Sequence, residues 1–261
     1  MSQTAYPLNM PIGIEGQLSD SGPHDVLTYN NPSQAIPAGR ALEKISGDAN
    51  GVQLPDDGSA NIVGLSLRDR AQESAASPVQ SAIPVLRKGR ILVAVEENVT
   101  PESTPHYRYG TKQQQTLIDF SANFVTGNSI SLKIRRSILG QFVQEHTVGP
   151  VAFSVDHATT AAALDAAIEA VTGASSVATA GNDFTVTAAT DVELEIFDVL
   201  VTGGASQATA TVTETVVARL STDRGSIRAS VDSSTAAPLT GAKFLTAANA
   251  GGLAVLDVNL P

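Results

Sequence analysis

The sequence predicts a mainly β protein: a β-barrel or β-sandwich-like core domain, interrupted by an inserted small β-rich (α+β) domain that carries one helix. Three observations lead there. The apolar residues are mostly Ala, Val, Leu and Ile, with no Trp and only 4% aromatics, beside abundant Ser, Thr and Gly, and small or β-branched side chains suit pleated sheets. Short alternating runs recur between Gly, Pro, Asn and Asp, which is the pattern of strands joined by tight turns. Charge is also unevenly divided. Residues 117–217 hold 11 acidic and 3 basic side chains, a net of −8, so the other 15 acidic and 13 basic side chains supply only −2 of the total −10.

Residues 1–25 form an N-terminal arm in which Pro7, Pro11, Pro23, Gly13, Gly16 and Gly22 oppose any compact element. Two readings stand for it: an extended arm ordered along a neighbour through Ile12, Ile14, Gln17 and Leu18, or a disordered leader. The core domain comprises 26–116 and 218–261, with strands expected at 26–29, 40–46, 52–54 and 61–67, a turn at 55–58 and an exposed loop at 68–77. Its centre is 87–97. There a basic turn, Arg87-Lys88-Gly89-Arg90, runs into a strand with Ile91, Val93 and Val95 on one face and Leu92 and Ala94 on the other, ending at Glu96-Glu97. Arg87, Lys88 and Arg90, with Arg68 and Arg70 upstream, are the one local excess of positive charge: a solvated turn, or a patch docking on an acidic protein. From 106 the alternation resumes, with Tyr107 and Tyr109 sharing a face.

The insert, 117–217, has candidate strands at 117–125, 129–135, 151–155, 184–188, 192–200 and 208–217. Its helix is expected at 160–172, because Leu164, Ile168 and Val171 recur at helical spacing, Thr159 or Thr160 can cap the start and Gly173 the end. Concentrated negative charge points this domain outward, where like charges are hydrated and keep particles apart; a merely solvated face is the plainer reading. Strands are expected again at 226–231 and 241–245, with a loop at 232–238. The closing stretch 253–260 is too apolar for a loose tail and is expected to pair with the sheet of 91–95.

Chemistry is sparse. The chain has no cysteine, which removes disulfides, thiolate metal sites and cysteine nucleophiles. A net charge of −10 opposes a nucleic-acid surface, and neither a signal-peptide pattern nor an apolar run of about 20 residues suggests a membrane. His24, His106, His146 and His157 are scattered and read as surface or interface residues. Asp56-Asp57 and Glu96-Glu97 are adjacent pairs that diverge in a strand or bond locally in a turn, and Asp48, Asp56 and Asp57 lack calcium-loop spacing. Phosphate loops and the Gly-x-Ser-x-Gly elbow are absent. No catalytic, cofactor-binding or metal residue is predicted, and the chain reads as a non-enzyme without cofactors.

Several stretches are similar to the structural cement, or capsid decoration, proteins of tailed bacteriophages. They are Gly16-Gln17-Leu18-Ser19-Asp20-Ser21, Gly47-Asp48, Gly51-Val52, Arg87-Lys88-Gly89-Arg90-Ile91, Val95-Glu96-Glu97 and the ending Gly251-Gly252-Leu253-Ala254-Val255-Leu256-Asp257-Val258-Asn259-Leu260-Pro261. The resemblance spans 10–110 and 219–261. It implies a virion protein, made in the host cytoplasm, that binds the outer surface of the head, bridges major capsid protein subunits and associates with itself, often as a homotrimer. Ile12, Ile14, Gln17, Leu18, Arg87, Lys88 and Arg90 are then the candidate capsid or subunit contacts. The insert sets the chain apart from shorter members and looks like modules of phage surface and tail proteins, so a tail or host-surface glycan-binding role is the alternative.

Overall fold

The computed structural model describes residues 13–20, 22–68, 76–171 and 173–260; Ile12 and Arg70 lie outside them. Two compact units result, Met1–Gly110 with Asp223–Pro261, and Thr111–Thr222. Before the first crossing the chain forms β1 (Asp25–Asn31), β2 (Ile36–Pro37), β3 (Ala41–Lys44), β4 (Val52–Gln53), β5 (Ile62–Ser66), β6 (Ala76–Ser77), β7 (Ser81–Ala94) and β8 (His106–Arg108). The second unit holds β9 (Gln115–Phe120), β10 (Ser129–Ile138), β11 (Gln141–Ala152), α1 (His157–Glu169), β12 (Ala174–Ala180), β13 (Asp183–Ala188), β14 (Val192–Thr202) and β15 (Ala210–Val216). The chain then returns through β16 (Ile227–Arg228), β17 (Ala236–Pro238), β18 (Ala242–Phe244) and β19 (Leu253–Asn259). The protein is mainly β, with α1 its one α-helix among the described residues.

In the first unit β7 is the common partner, in a sheet ordered β18-β19-β7-β5-β3-β4 with β1 also on β7. Its first half pairs with β1, from Asn31↔Ser81 to Asp25↔Lys88, and with β5 at Leu65↔Leu86. Its second half pairs with β19, from Asn259↔Lys88 to Leu253↔Ala94, so the closing strand does return to 91–95. The expected basic turn at 87–90 is not a turn. Alternation begins upstream, with Ile83 and Val85 buried in one core cluster and Leu86, Ile91, Val93 and Val95 in another. Gly89, at φ +129°, lets the strand deform without ending. A strand covered on both faces in this way belongs to a sandwich-like body.

Two parts of the expected loops are also strand. Ala76 and Ser77, placed in a loop by composition, pair with Pro37 and Ile36, and Ala236 to Pro238 pair with β8. Both are ladders too short to show a period of two.

The second unit stacks the sheet β11-β10-β14 and the sheet β12-β13-β9-β15 around its own core. Phe120 meets Phe124 and Phe184 edge-on, at 4.9 and 5.5 Å between ring centroids. Leu164 and Ile168, the apolar stripe of α1, are fully buried in the same cluster. The helix starts earlier than its apolar spacing suggests because Asp156, not a threonine, is the N-cap: its carboxylate accepts the Thr159 N–H at 2.7 Å. Thr160 instead donates its hydroxyl to the Asp156 carbonyl at 2.8 Å.

Candidate functional site

Residues 13–20 are sewn onto the second half of β7. The Gly16 N–H donates to the Leu92 carbonyl at 2.8 Å, the Leu92 N–H to the Gln17 carbonyl at 2.9 Å, and the Ser19 N–H to the Arg90 carbonyl at 3.0 Å. The Gly16 carbonyl in turn accepts the Arg68 N–H at 2.8 Å. Backbone approach is close enough that a Cβ on Gly16 would lie 2.4 Å from that of Ala38, and Gly16 sits at φ +79°. Leu18 is half-buried and bridges Ile91, whereas the Gln17 side chain turns back to the Ile14 N–H. Ile14 itself is 51% exposed. Burial pushes the Glu15 carboxyl up, against the opposing pull of Arg40 and the Ala94 backbone.

The basic side chains of β7 are mostly matched by acids on the segments that lie beside it. Arg90 reaches Asp20 at 2.9 Å and Asp257 at 3.9 Å, and Arg87 reaches Asp25 at 3.9 Å. Lys88 is exposed, and Lys243, two-thirds exposed, contacts Asp257 at 3.7 Å. Thus Ile14, Gln17, Leu18 and Arg90 meet at one end of β7, with Arg87 and Lys88 farther along the strand. What they offer is a mixed-charge surface with an apolar side chain at its edge, suited to protein contact.

The same unit contains a buried charge cluster that sequence reasoning missed. Arg108, with no exposed side-chain surface, gives Glu96 two hydrogen bonds, at 2.7 and 2.5 Å, and reaches Asp232 at 2.6 Å. Arg228 reaches Glu96 at 2.9 Å and Asp232 at 2.8 Å. Glu97 accepts the Ala229 N–H at 2.9 Å and lies 3.2 Å from Arg228. Burial raises the Glu97 carboxyl, but the Ala229 and Ser230 donors and Arg228 outweigh it and hold the group below the usual range. Asp232, Ser233 and Ser234 have φ of 42°, 55° and 67°, three successive non-glycine residues in the left-handed region, and the cluster pins this turn. Its carboxylates are all engaged by the two arginines or by backbone donors, with the buried Nε of Arg228 left over, so it joins β8, β16 and the residues just after β7 and leaves little for a substrate. The partners of Arg108 lie 12 and 124 positions away, and no local pattern marks such a set.

The histidines stay apart. His24 and His106 each place Nδ1 on a carbonyl two residues back, at 3.0 and 2.9 Å, and His106 is buried, contrary to the surface or interface expectation. His157 accepts the Phe124 N–H at Nδ1, 2.9 Å away. Among the described residues no group of three or more His, Cys, Asp or Glu could hold a metal ion. The second unit has a cleft of about 360 Å³ where Gln114, Glu193, Glu195 and Glu214 surround Leu194 and Val212. Gln114 is bound on both ends, donating to Glu214 at 2.8 Å and accepting the Leu194 N–H at 2.6 Å.

Residues 1–131 match the family model described as structural cement protein (E217 gp24/Pam3 gp6). A chain in the structure of the capsid of Myoviridae phage XM1 is similar at a TM-score of 0.45 and 10% identity, over 99% of this chain and 97% of that one. No curated protein matches.

Proposed function

The chain belongs to the phage structural cement protein family, a virion structural family, and from that premise we propose that it binds the outer surface of a phage head and bridges neighbouring major capsid subunits. The family match carries this reading, and the geometry of β7 supports it. Both the N-terminal segment and the C-terminal strand β19 are fastened to β7, so a load applied near either end passes directly into a central strand. Self-association, as a homotrimer, multiplies modest contacts into durable attachment. A protein that binds the assembled lattice better than free subunits stabilises the lattice. Ile14, Leu18, Lys88 and Arg90 are the proposed contacts in the first unit, and the acidic second unit faces outward. No catalysis is involved.

The test compares particles with and without the chain under heat and osmotic shock. Particles lacking it are expected to lose DNA at lower temperature and to regain resistance when purified chain is added back. Equal resistance of the two would sink the bridging role. Mass measurement of the purified chain checks the trimer.

A second reading, a tail or host-surface glycan-binding protein, draws on the cleft of the second unit. Its carboxylates over an apolar floor suit a polyol. Labelling confined to the tail, with glycan binding lost in Glu193→Ala, would favour it over the first.

A further inference from the structure

The hairpin of β10 and β11 ends in an apolar tip whose backbone and side chains both go against ordinary preference. Ile138 pairs with Gln141, so Leu139 and Gly140 are the two turn residues, and their φ values are 49° and 74°. Such a turn favours Asn-Gly or Asp-Gly, because a leucine at positive φ is strained. Leu139 is nevertheless 42% exposed, and beside it Phe142 is 62% and Val143 45% exposed. Ser137 pairs with Phe142 while Arg136 pairs with Gln144, which makes Val143 the extra residue of a bulge. Bulges re-aim side chains, and three large apolar residues exposed within five positions are not the single scattered ones a soluble surface carries.

Strand addition is a poor use for this edge. β11 pairs with β10 alone, but a second register break follows between Ile130 and Leu132, and Pro150 has no N–H to offer. Recognition must then run through side chains. Acids outnumber bases around it, four to two: the Leu139 N–H donates to the Asp191 carbonyl at 3.0 Å, Glu193 pairs across from Ser137, and Glu145 and Glu195 share Arg135, with Arg136 the other base nearby. An acidic rim opposes a second copy of the same tip and an anionic lipid surface alike, and matches a basic one.

We propose that Leu139, Phe142 and Val143 form a plug that seats in an apolar, basic-rimmed pocket on a neighbouring virion protein other than this chain. This contact rests on the cement reading and adds an anchor from the second unit. Residues 132–152 lie beyond the family match, so the anchor is a feature of this chain rather than of the matched segment.

The test places a photoactivatable benzophenone amino acid at position 142 of the full chain, in particles assembled with it. The exposed site leaves the melting temperature unchanged. Irradiation is expected to join position 142 to a different virion polypeptide, identified by mass spectrometry of the peptide pair. In the Leu139→Ser, Val143→Ser background the yield is expected to fall on the order of tenfold or more, since two apolar contacts are lost. Particles that contain the chain but give no cross-link, or a cross-link only to another copy or to lipid, overturn the plug and leave the cement reading standing. A chain absent from purified particles overturns the cement reading and the plug with it.

Discussion

Arg108 anchors its unit by compensating two carboxylates that are themselves largely out of water, Glu96 and Asp232. Burial disfavours the charged guanidinium, and the two acids more than restore it, so Arg108 stays ionised. Replacing it with methionine removes its bonds to both acids and leaves Arg228 as their shared arginine. The expected loss is on the order of 3–5 kcal/mol, the usual cost of breaking a buried pair from one side, and denaturant unfolding of Arg108→Met measures it. Glu43 works the other way. Burial raises its carboxyl, the Gln53 hydrogen bond at 2.5 Å only partly opposes that, and Asp56 and Asp57 push it further up. A raised acid weakens the fold above its native value, where it is ionised in both states, and has no effect well below about pH 4, where both states are protonated. Glu43→Gln is therefore expected to raise the melting temperature at pH 7 and to lose that gain as the pH falls towards 3. An unchanged difference across that range would show that ionisation is not the cause.

Among the elements, the segment 13–20 and the hairpin β10–β11 show how little side-chain pattern is needed to fix a position. Gly16→Ala forces a left-handed residue and a clash with Ala38 together, which costs at least about 1 kcal/mol. Its expected signature is local. The Leu92 amide, which donates to Gln17, exchanges with deuterium faster, while the β7 amides held by β19 keep their protection. If the Leu92 amide stays protected, the segment is not held by this approach. The helix core was legible from Leu164 and Ile168, since a buried stripe needs only one-residue resolution. Its start was not, because Asp156 lies outside the apolar repeat. β11 was foreseen only at 151–155, for most of its residues are exposed and impose no alternation.

For the whole molecule, the decisive fact is that each unit closes on itself. In the second, Lys112 and Arg219 exchange backbone hydrogen bonds at 2.9 and 2.8 Å, so its two ends lie side by side. In the first, Arg108 accepts from Gly225 at 2.7 Å and donates to Ser226 at 3.0 Å, so the cut ends there are adjacent too. Removing 111–222 and joining Gly110 to Asp223 through a short glycine linker is expected to leave a cooperatively folding β body. Insoluble product, or a melt without a transition, would mean that the units share stability. The sequence by itself determined the β class, the acidic character of 117–217, the family resemblance and the return of 253–259 to the central strand, because these depend on composition and on period-two burial along one stretch. Only the tertiary structure decided that 87–90 continues a strand, that Arg108 meets Glu96 and Asp232, and that Phe142 stands in solvent. Those outcomes depend on what distant parts of the chain bring to each side chain, and a linear pattern does not carry that information.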